Sequence, residues 1–170
     1  EAAIEDDEND IAAWNDLGCC YLHRGQYEKA IECLTKAIEN EQSSPSHDDY
    51  LSYGNMGETY ESMGQYEKAI EYYELYEKLH GKKHIPYCED KGRLYEYLGR
   101  YAEAEEAYKD FGTIEYYINL GNIALRQGDK AKALELFDKS IDVTEDEDDK
   151  AKNMCTVGMN HMDYFGDAET

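Results

Sequence analysis

Residues 10–43 read DIAAWNDLGCCYLHRGQYEKAIECLTKAIENEQS, and residues 50–83 read YLSYGNMGETYESMGQYEKAIEYYELYEKLHGKK. Both stretches carry two glycines seven residues apart, and the pairing recurs four times: Gly18 and Gly25, Gly57 and Gly64, Gly92 and Gly99, Gly121 and Gly128. An alanine follows the second glycine of each pair by five residues, at Ala30, Ala69, Ala104 and Ala133. A register of this length marks one supersecondary unit that cannot bury its own apolar face and must stack on its neighbours.

Within 11–23 the apolar residues Ile11, Trp14, Leu17 and Tyr21, with Gly18 between them, fall at three- and four-residue steps, which is one stripe of a helix. Glycine inside a helix costs about 1 kcal/mol relative to alanine. Gly18, Gly57, Gly92 and Gly121 therefore predict places where a partner helix comes too close for a Cβ, with the four alanines as the small residues that receive the first helix. Gly25, Gly64, Gly99 and Gly128 follow that helix and read as C-cap glycines opening a turn.

The first unit thus supplies Trp14, Leu17, Gly18, Tyr21, Gly25, Tyr27, Ala30, Leu34 and Ala37. The second supplies Tyr53, Met56, Gly57, Tyr60, Gly64, Tyr66, Ala69 and Tyr73, and the third Gly92, Tyr95, Gly99, Tyr101, Ala104, Tyr108 and Phe111. A fourth keeps Tyr117, Leu120, Gly121, Gly128, Ala133 and Phe137, with Ala124 and Lys130 where tyrosines stand elsewhere. This pattern resembles the tetratricopeptide repeat family, a helix-turn-helix unit with a W-x-x-L-G-x-x-Y, A, F, P signature. The resemblance implies an all-α fold, a right-handed superhelical solenoid of antiparallel helix pairs. The repeats run over about 11–44, 45–83, 84–112 and 113–143.

First glycines are spaced by 39, 35 and 29 residues, then by 37 to Gly158. The extra length falls in EQSSPSHDD, where Ser44 before Pro45 reads as an N-cap with proline at the first helical position. The short spacing falls in KDFGTIEYY, with Gly112 as a stop, Thr113 as the next cap and a local change of superhelical pitch expected. At the ends, residues 1–10 read as the tail of a preceding helix. Thr144-Glu145-Asp146-Glu147 reads as a capping box opening a partial fifth repeat over 144–170. The chain is expected to be a segment of a longer array.

Net charge is -22, from 39 acidic against 17 basic residues. Nucleic-acid binding is disfavoured because it depends on Lys and Arg displacing counterions, and basic or neutral protein partners are favoured by the same logic. No run of 18 apolar residues exists to span a membrane. Cys19, Cys20, Cys33, Cys88 and Cys155 are odd in number and lack CxxC spacing, so they read as reduced thiols of a cytoplasmic protein. His80, His84 and Cys88 have ligand-like spacing, but Gly81 and Pro86 interrupt the helix that would align them. No metal and no cofactor is expected. The sequence has no phosphate loop, nucleophile elbow or HExxH motif, and an enzyme is not expected.

The resemblance places the first helix of each repeat on a concave groove. Two residues before the first glycines stand Asp16, Asn55, Asp90 and Asn119, and one residue after them Cys19, Glu58, Arg93 and Asn122. A carboxamide offers both a donor and an acceptor to a peptide backbone, and family members use asparagines at such positions. The groove candidates are Asp16, Asn55, Glu58, Asp90, Arg93, Asn119 and Asn122. Groove acids Asp16, Glu58, Glu61, Glu89, Asp90, Glu96 and Glu115 outnumber Arg93, Arg126 and Lys152, so the groove is expected to be acidic.

The family's carboxylate clamp for chaperone tails would fall on Asn15, Cys19, Asn55, Pro86 and Asp90, of which only Asn55 fits. Shifted by one repeat it falls on Gly54, Glu58, Asp90, Glu115 and Asn119, which fits less well. The chain therefore reads as a protein-interaction scaffold holding an extended or helical segment of another protein. Two alternatives stay open: a spacer or array that self-associates through its ends, and the recruiting or regulatory arm of an enzyme or regulator encoded outside this segment.

Overall fold

The structure is a computed structural model that describes residues 10–43, 51–80, 87–110 and 112–144. They form eight helices and no strand: α1 (Ile11–His23), α2 (Tyr27–Ser43), α3 (Leu51–Ser62), α4 (Tyr66–His80), α5 (Cys88–Tyr97), α6 (Tyr101–Tyr108), α7 (Thr113–Arg126) and α8 (Lys130–Asp142). The chain divides between Tyr87 and Cys88 into two compact units. Each contains two helix pairs, α1/α2 with α3/α4 and α5/α6 with α7/α8.

Within every pair the turn is the one the second glycines demand. Gly25, Gly64, Gly99 and Gly128 have φ of 67°, 71°, 71° and 80°, a left-handed backbone that glycine adopts without a Cβ penalty. Each closes its helix with two reversed bonds. In α1, Gly25 N–H donates to the Leu22 carbonyl and Gln26 N–H to the Tyr21 carbonyl, and the same pair recurs at Gly64/Gln65, Gly99/Arg100 and Gly128/Asp129. The orphan carbonyls of each first helix are thereby satisfied.

The first glycines receive a different partner from the one the sequence suggests. A Cβ on Gly18 would stand 2.7 Å from Leu34 Cγ, whereas the nearest atom of Ala30 is its carbonyl oxygen at 3.5 Å. Cβ atoms on Gly57, Gly92 and Gly121 would stand 2.5, 2.3 and 2.3 Å from the rings of Tyr73, Tyr108 and Phe137. The large residue two turns into each second helix's apolar stripe lies flat on the glycine. The alanines Ala30, Ala69, Ala104 and Ala133 are all fully buried beside that contact. Gly54 makes a further cradle, where a Cβ would stand 2.1 Å from the Tyr87 hydroxyl.

Unit one is cored by Leu34, Ile38, Tyr53, Met56 and Tyr76. Its aromatic cap is Tyr87, stacked on Tyr73 with ring centroids 4.5 Å apart and edge-on to Tyr76 at 5.0 Å, an arrangement that offsets the ring quadrupoles. Trp14 is half-buried under the Lys36 ammonium, 4.0 Å from the ring centroid. Unit two is cored by Leu120, Ala124, Leu125, Ala133, Leu136 and Phe137, with Tyr116 and Tyr117 packed against them.

Helix starts follow short-range chemistry. Asp10 accepts from Ala13 N–H and Asp129 from Lys132 N–H, each at 3.0 Å, as N-cap carboxylates. Thr113 is not the cap of α7: the N-cap is Gly112, at φ 139°, and Thr113 is the first helical residue. Glu115 curls back toward Gly112, its Oε2 2.6 Å from where a Cβ would be, so its charge serves the helix N-terminus. Thr144 Oγ1 donates backwards to the Ser140 carbonyl at 2.8 Å, closing α8. The expected Ser44/Pro45 start, Phe111, Gly81, His84, Pro86, Cys155, Lys152, residues 1–9 of the leading tail and residues 145–170 of the partial fifth repeat lie outside the described residues, while Asp10, expected in that tail, is the N-cap of α1.

Candidate functional site

In unit one, the face shared by α1 and α3 carries Asp16 and Glu58, both exposed, on either side of the half-buried Cys19. Burial first, then the Glu58 and Asp16 carboxylates, push the Cys19 thiol above its usual range. A thiol held protonated is a poor nucleophile and a poor metal ligand, so this face offers carboxylates and not sulfur chemistry. Asn55 stands beside it but donates its Nδ2 to Asn15 Oδ1 at 2.7 Å, which fastens α3 to α1. Ser52 continues the seam, donating to the buried Glu41 Oε1 at 2.7 Å. One of the two Asn55 amide N–H groups is therefore engaged within the unit, leaving the other and the carbonyl oxygen for a ligand.

In unit two, α5 and α7 enclose a cavity of about 290 Å³ lined by Glu89, Arg93, Glu96, Tyr97, Tyr108, Asn119, Asn122 and Arg126. Three sequence candidates, Arg93 on α5 and Asn119 and Asn122 on α7, thus line one cavity. Asp90 is half-buried and pairs with Arg93 at 2.8 Å, one turn along α5. The lining carries two guanidinium groups, Arg93 and Arg126, and two carboxylates, Glu89 and Glu96.

A polar chain of three side chains holds the cavity's floor. The Tyr108 hydroxyl donates to Glu96 Oε1 at 2.6 Å, and the Arg126 guanidinium forms an ion pair with Glu96, Nε to Oε2 at 2.9 Å. The Glu96 side chain is 9% exposed and that of Arg126 is 44% exposed, so the anion is turned inward and the guanidinium outward. Burial first, then the bond to Glu96, push the Tyr108 hydroxyl far above the usual phenol range. A buried carboxylate needs such partners, since each unpaired oxygen would keep its full desolvation penalty.

The tyrosine reaches the glutamate only because Gly92 lacks a side chain under its ring. The same device appears in unit one, where Tyr73 over Gly57 donates to Glu61 Oε2 at 2.9 Å. At the matching positions of the first and fourth repeats stand Leu22 with Leu34 and Leu125 with Phe137. The Glu/Tyr pair of the second and third repeats and the apolar pair of the first and fourth fall at one fixed spacing, which the sequence makes readable. The roles of Tyr97 and Tyr108 in the wall were not readable, because tyrosines at repeat positions read first as core.

Among the described residues no group of His, Cys, Asp and Glu is placed to hold a metal, and no helix is long and apolar enough to cross a membrane. Tetratricopeptide repeat models match residues 9–79, 85–110 and 114–146. No curated protein sequence matches the chain. Among solved structures, that of MamA is 23% identical with a TM-score of 0.71, covering 89% of this chain and 86% of its own. YrrB, described as a TPR protein with an unusual peptide-binding site, is 19% identical with a TM-score of 0.66, covering 95% and 78%. Pseudomonas aeruginosa pilF is 24% identical with a TM-score of 0.59, covering 93% and 71%. The chain belongs to the tetratricopeptide repeat family, as an all-α helical repeat solenoid of the kind that serves as a protein-interaction scaffold.

Proposed function

We propose that the chain holds an extended or helical segment of another protein against its first helices, with α1 and α3 as the surface in unit one and α5 and α7 in unit two. The observation that carries this reading is the cavity between α5 and α7, where Asn119 and Asn122 of α7 and Arg93 of α5 line one concavity of a size suited to one or two side chains. Asparagine carboxamides there can serve a partner's backbone regardless of its sequence. Asp16 and Glu58 give the α1/α3 face a negative field, and the net charge of -22 extends it, so the segment is basic or neutral overall. Thiols outside any disulfide at Cys19, Cys20 and Cys33 suit a reducing compartment, and the cytoplasm is the proposed location.

The test is a peptide array of mixed charge, with hits measured by calorimetry against the wild type and two variants. Asn119→Ala with Asn122→Ala should weaken binding about equally at all salt concentrations. Asp16→Lys with Glu58→Lys should weaken it and flatten the salt dependence. A consistent preference for strongly acidic peptides, or hits indifferent to all four substitutions, would place binding elsewhere.

A further inference from the structure

We infer that the α5/α7 cavity is a subsite for the carboxylate of an aspartate or glutamate side chain in the bound segment, with Arg126 as the recognising group and Tyr108 and Glu96 as the residues that position it. The inference rests on the reading that this face receives a partner segment. It adds the chemistry of one contact.

The hydrogen-bond inventory of the wall decides the guest. Both oxygens of Glu96 are already engaged, one accepting from Tyr108 and the other paired with Arg126, and its side chain is turned inward. Tyr108 spends its only proton on Glu96. Arg126 is paired with Glu96 at Nε, and its side chain is 44% exposed. A guanidinium carries five donors in a fork that matches a carboxylate, so the pair with Glu96 does not exhaust it. Asn119 and Asn122 add carboxamide groups one turn apart on α7, and Arg93, already donating to Asp90, lies across the cavity on α5. The wall is thus rich in donors, and its remaining anion is Glu89, on the exposed side of α5. A guest that accepts hydrogen bonds is matched, and a cationic guest would find only Glu89. The volume, about 290 Å³, admits a side chain and its solvation shell.

Tyr108 and Glu96 never touch the guest in this arrangement. Their part is to fix the guanidinium, which otherwise holds a long flexible stem, in one orientation. That differs from a purely structural role, because removing the tyrosine hydroxyl should change selectivity between a carboxylate and its neutral amide.

The experiment uses the whole chain, labelled with nitrogen-15, and follows the Arg126 Nε–H resonance, identified by its loss in Arg126→Lys. The probes are N-acetyl-glutamate N-methylamide, the matching glutamine and lysine compounds, and N-acetyl-alanine with a free terminal carboxylate. The glutamate probe should move the Arg126 resonance and bind roughly threefold to fivefold more tightly than the glutamine probe. Tyr108→Phe should bring the two within about twofold of each other. Glu96→Leu with Tyr108→Phe, which copies the Leu125/Phe137 pair of the fourth repeat, should abolish the preference while keeping a cooperative melt. Glu89→Gln should strengthen glutamate binding by about twofold.

Equal binding of glutamate and glutamine, tighter binding of lysine, or weakening by Glu89→Gln would overturn the inference, and these three hold even if the tyrosine variants fail to fold. Tighter binding of N-acetyl-alanine would assign the subsite to a chain end and overturn the side-chain commitment. An undiminished preference in a folded Tyr108→Phe would remove the positioning role. Array peptides that map to α5 and α7 without any glutamate preference would sink this inference alone. Glutamate binding at Arg126 with no array peptide bound would sink the broader proposal instead.

Discussion

Gly57→Ala is the smallest change that tests how the helix pairs are built. The added methyl would meet Tyr73 ring carbons at 2.5 and 2.6 Å, about 1 Å inside ordinary van der Waals contact. Tyr73 is fully buried, its hydroxyl is tied to Glu61, and Tyr87 is stacked on its other face, so the ring has no free direction to retreat. Overpacking of this kind costs about 1 to 3 kcal/mol, and the better helix propensity of alanine returns roughly 1. The net loss should be up to about 2 kcal/mol, or a fall of up to roughly 8 °C in melting temperature for a chain of this size.

The decisive comparison is the same change made in Tyr73→Ala. That background itself loses about 3 to 5 kcal/mol, and with the ring gone Gly57→Ala should become neutral or stabilising by up to about 1 kcal/mol. Urea denaturation followed by circular dichroism gives all four corners of the cycle. A coupling near zero, with Gly57→Ala equally costly in both backgrounds, would refute the close-contact explanation. Glu28→Ala, on an exposed position of α2, serves as the control at about 0.5 kcal/mol or less.

Gly25→Ala should cost about 1 to 2 kcal/mol even though nothing lies within 4 Å of its Cβ, because the backbone sits at φ 67°, and Gly25→Asn should recover part of that loss in the same melts. The raised Tyr108 hydroxyl has a defined pH signature. The folded chain holds that proton more tightly than the unfolded one, so the contribution is complete below about pH 10 and is lost as pH rises beyond it. Stability curves of wild type and Tyr108→Phe should therefore converge between about pH 10 and 11, and parallel curves would contradict the assignment. Cys19 should react with a thiol reagent more slowly than exposed Cys20 at neutral pH, and Glu58→Gln should narrow that gap.

Much of the fold could be read because each structural demand falls on a residue type with few alternatives. A left-handed backbone between the helices of a pair calls for glycine, and a ring lying on a helix backbone calls for the absence of a Cβ; both recur at fixed spacing. What occupied the space above the first glycines was harder to read. Alanine at the next small position looked like the natural partner, yet the contact is made by Leu34, Tyr73, Tyr108 and Phe137, since a flat or branched side chain fills the gap that two small residues would leave empty.

The site was legible in outline only. Counting from the glycines put Arg93, Asn119 and Asn122 on one surface, and the structure gathers them in one cavity. Position alone could not show that one Asn55 amide N–H is engaged by Asn15, or that Glu96 is turned inward under Arg126. Both depend on which neighbour in the adjacent repeat supplies a partner, and repeat spacing does not encode that choice. A tally of acids and bases likewise misses that Glu115 serves its own helix end and that Glu96 is neutralised in place.

The central claim, that the first helices form a binding surface for a protein segment, is tested most directly by mapping. Amide and side-chain resonances of the labelled chain should be followed during titration with the tightest peptide from the array. Shifts concentrated on Asp16, Cys19 and Glu58 of unit one, or on Arg93, Asn119, Asn122 and Arg126 of unit two, are the predicted result. Shifts confined to α2, α4, α6 and α8 would contradict it.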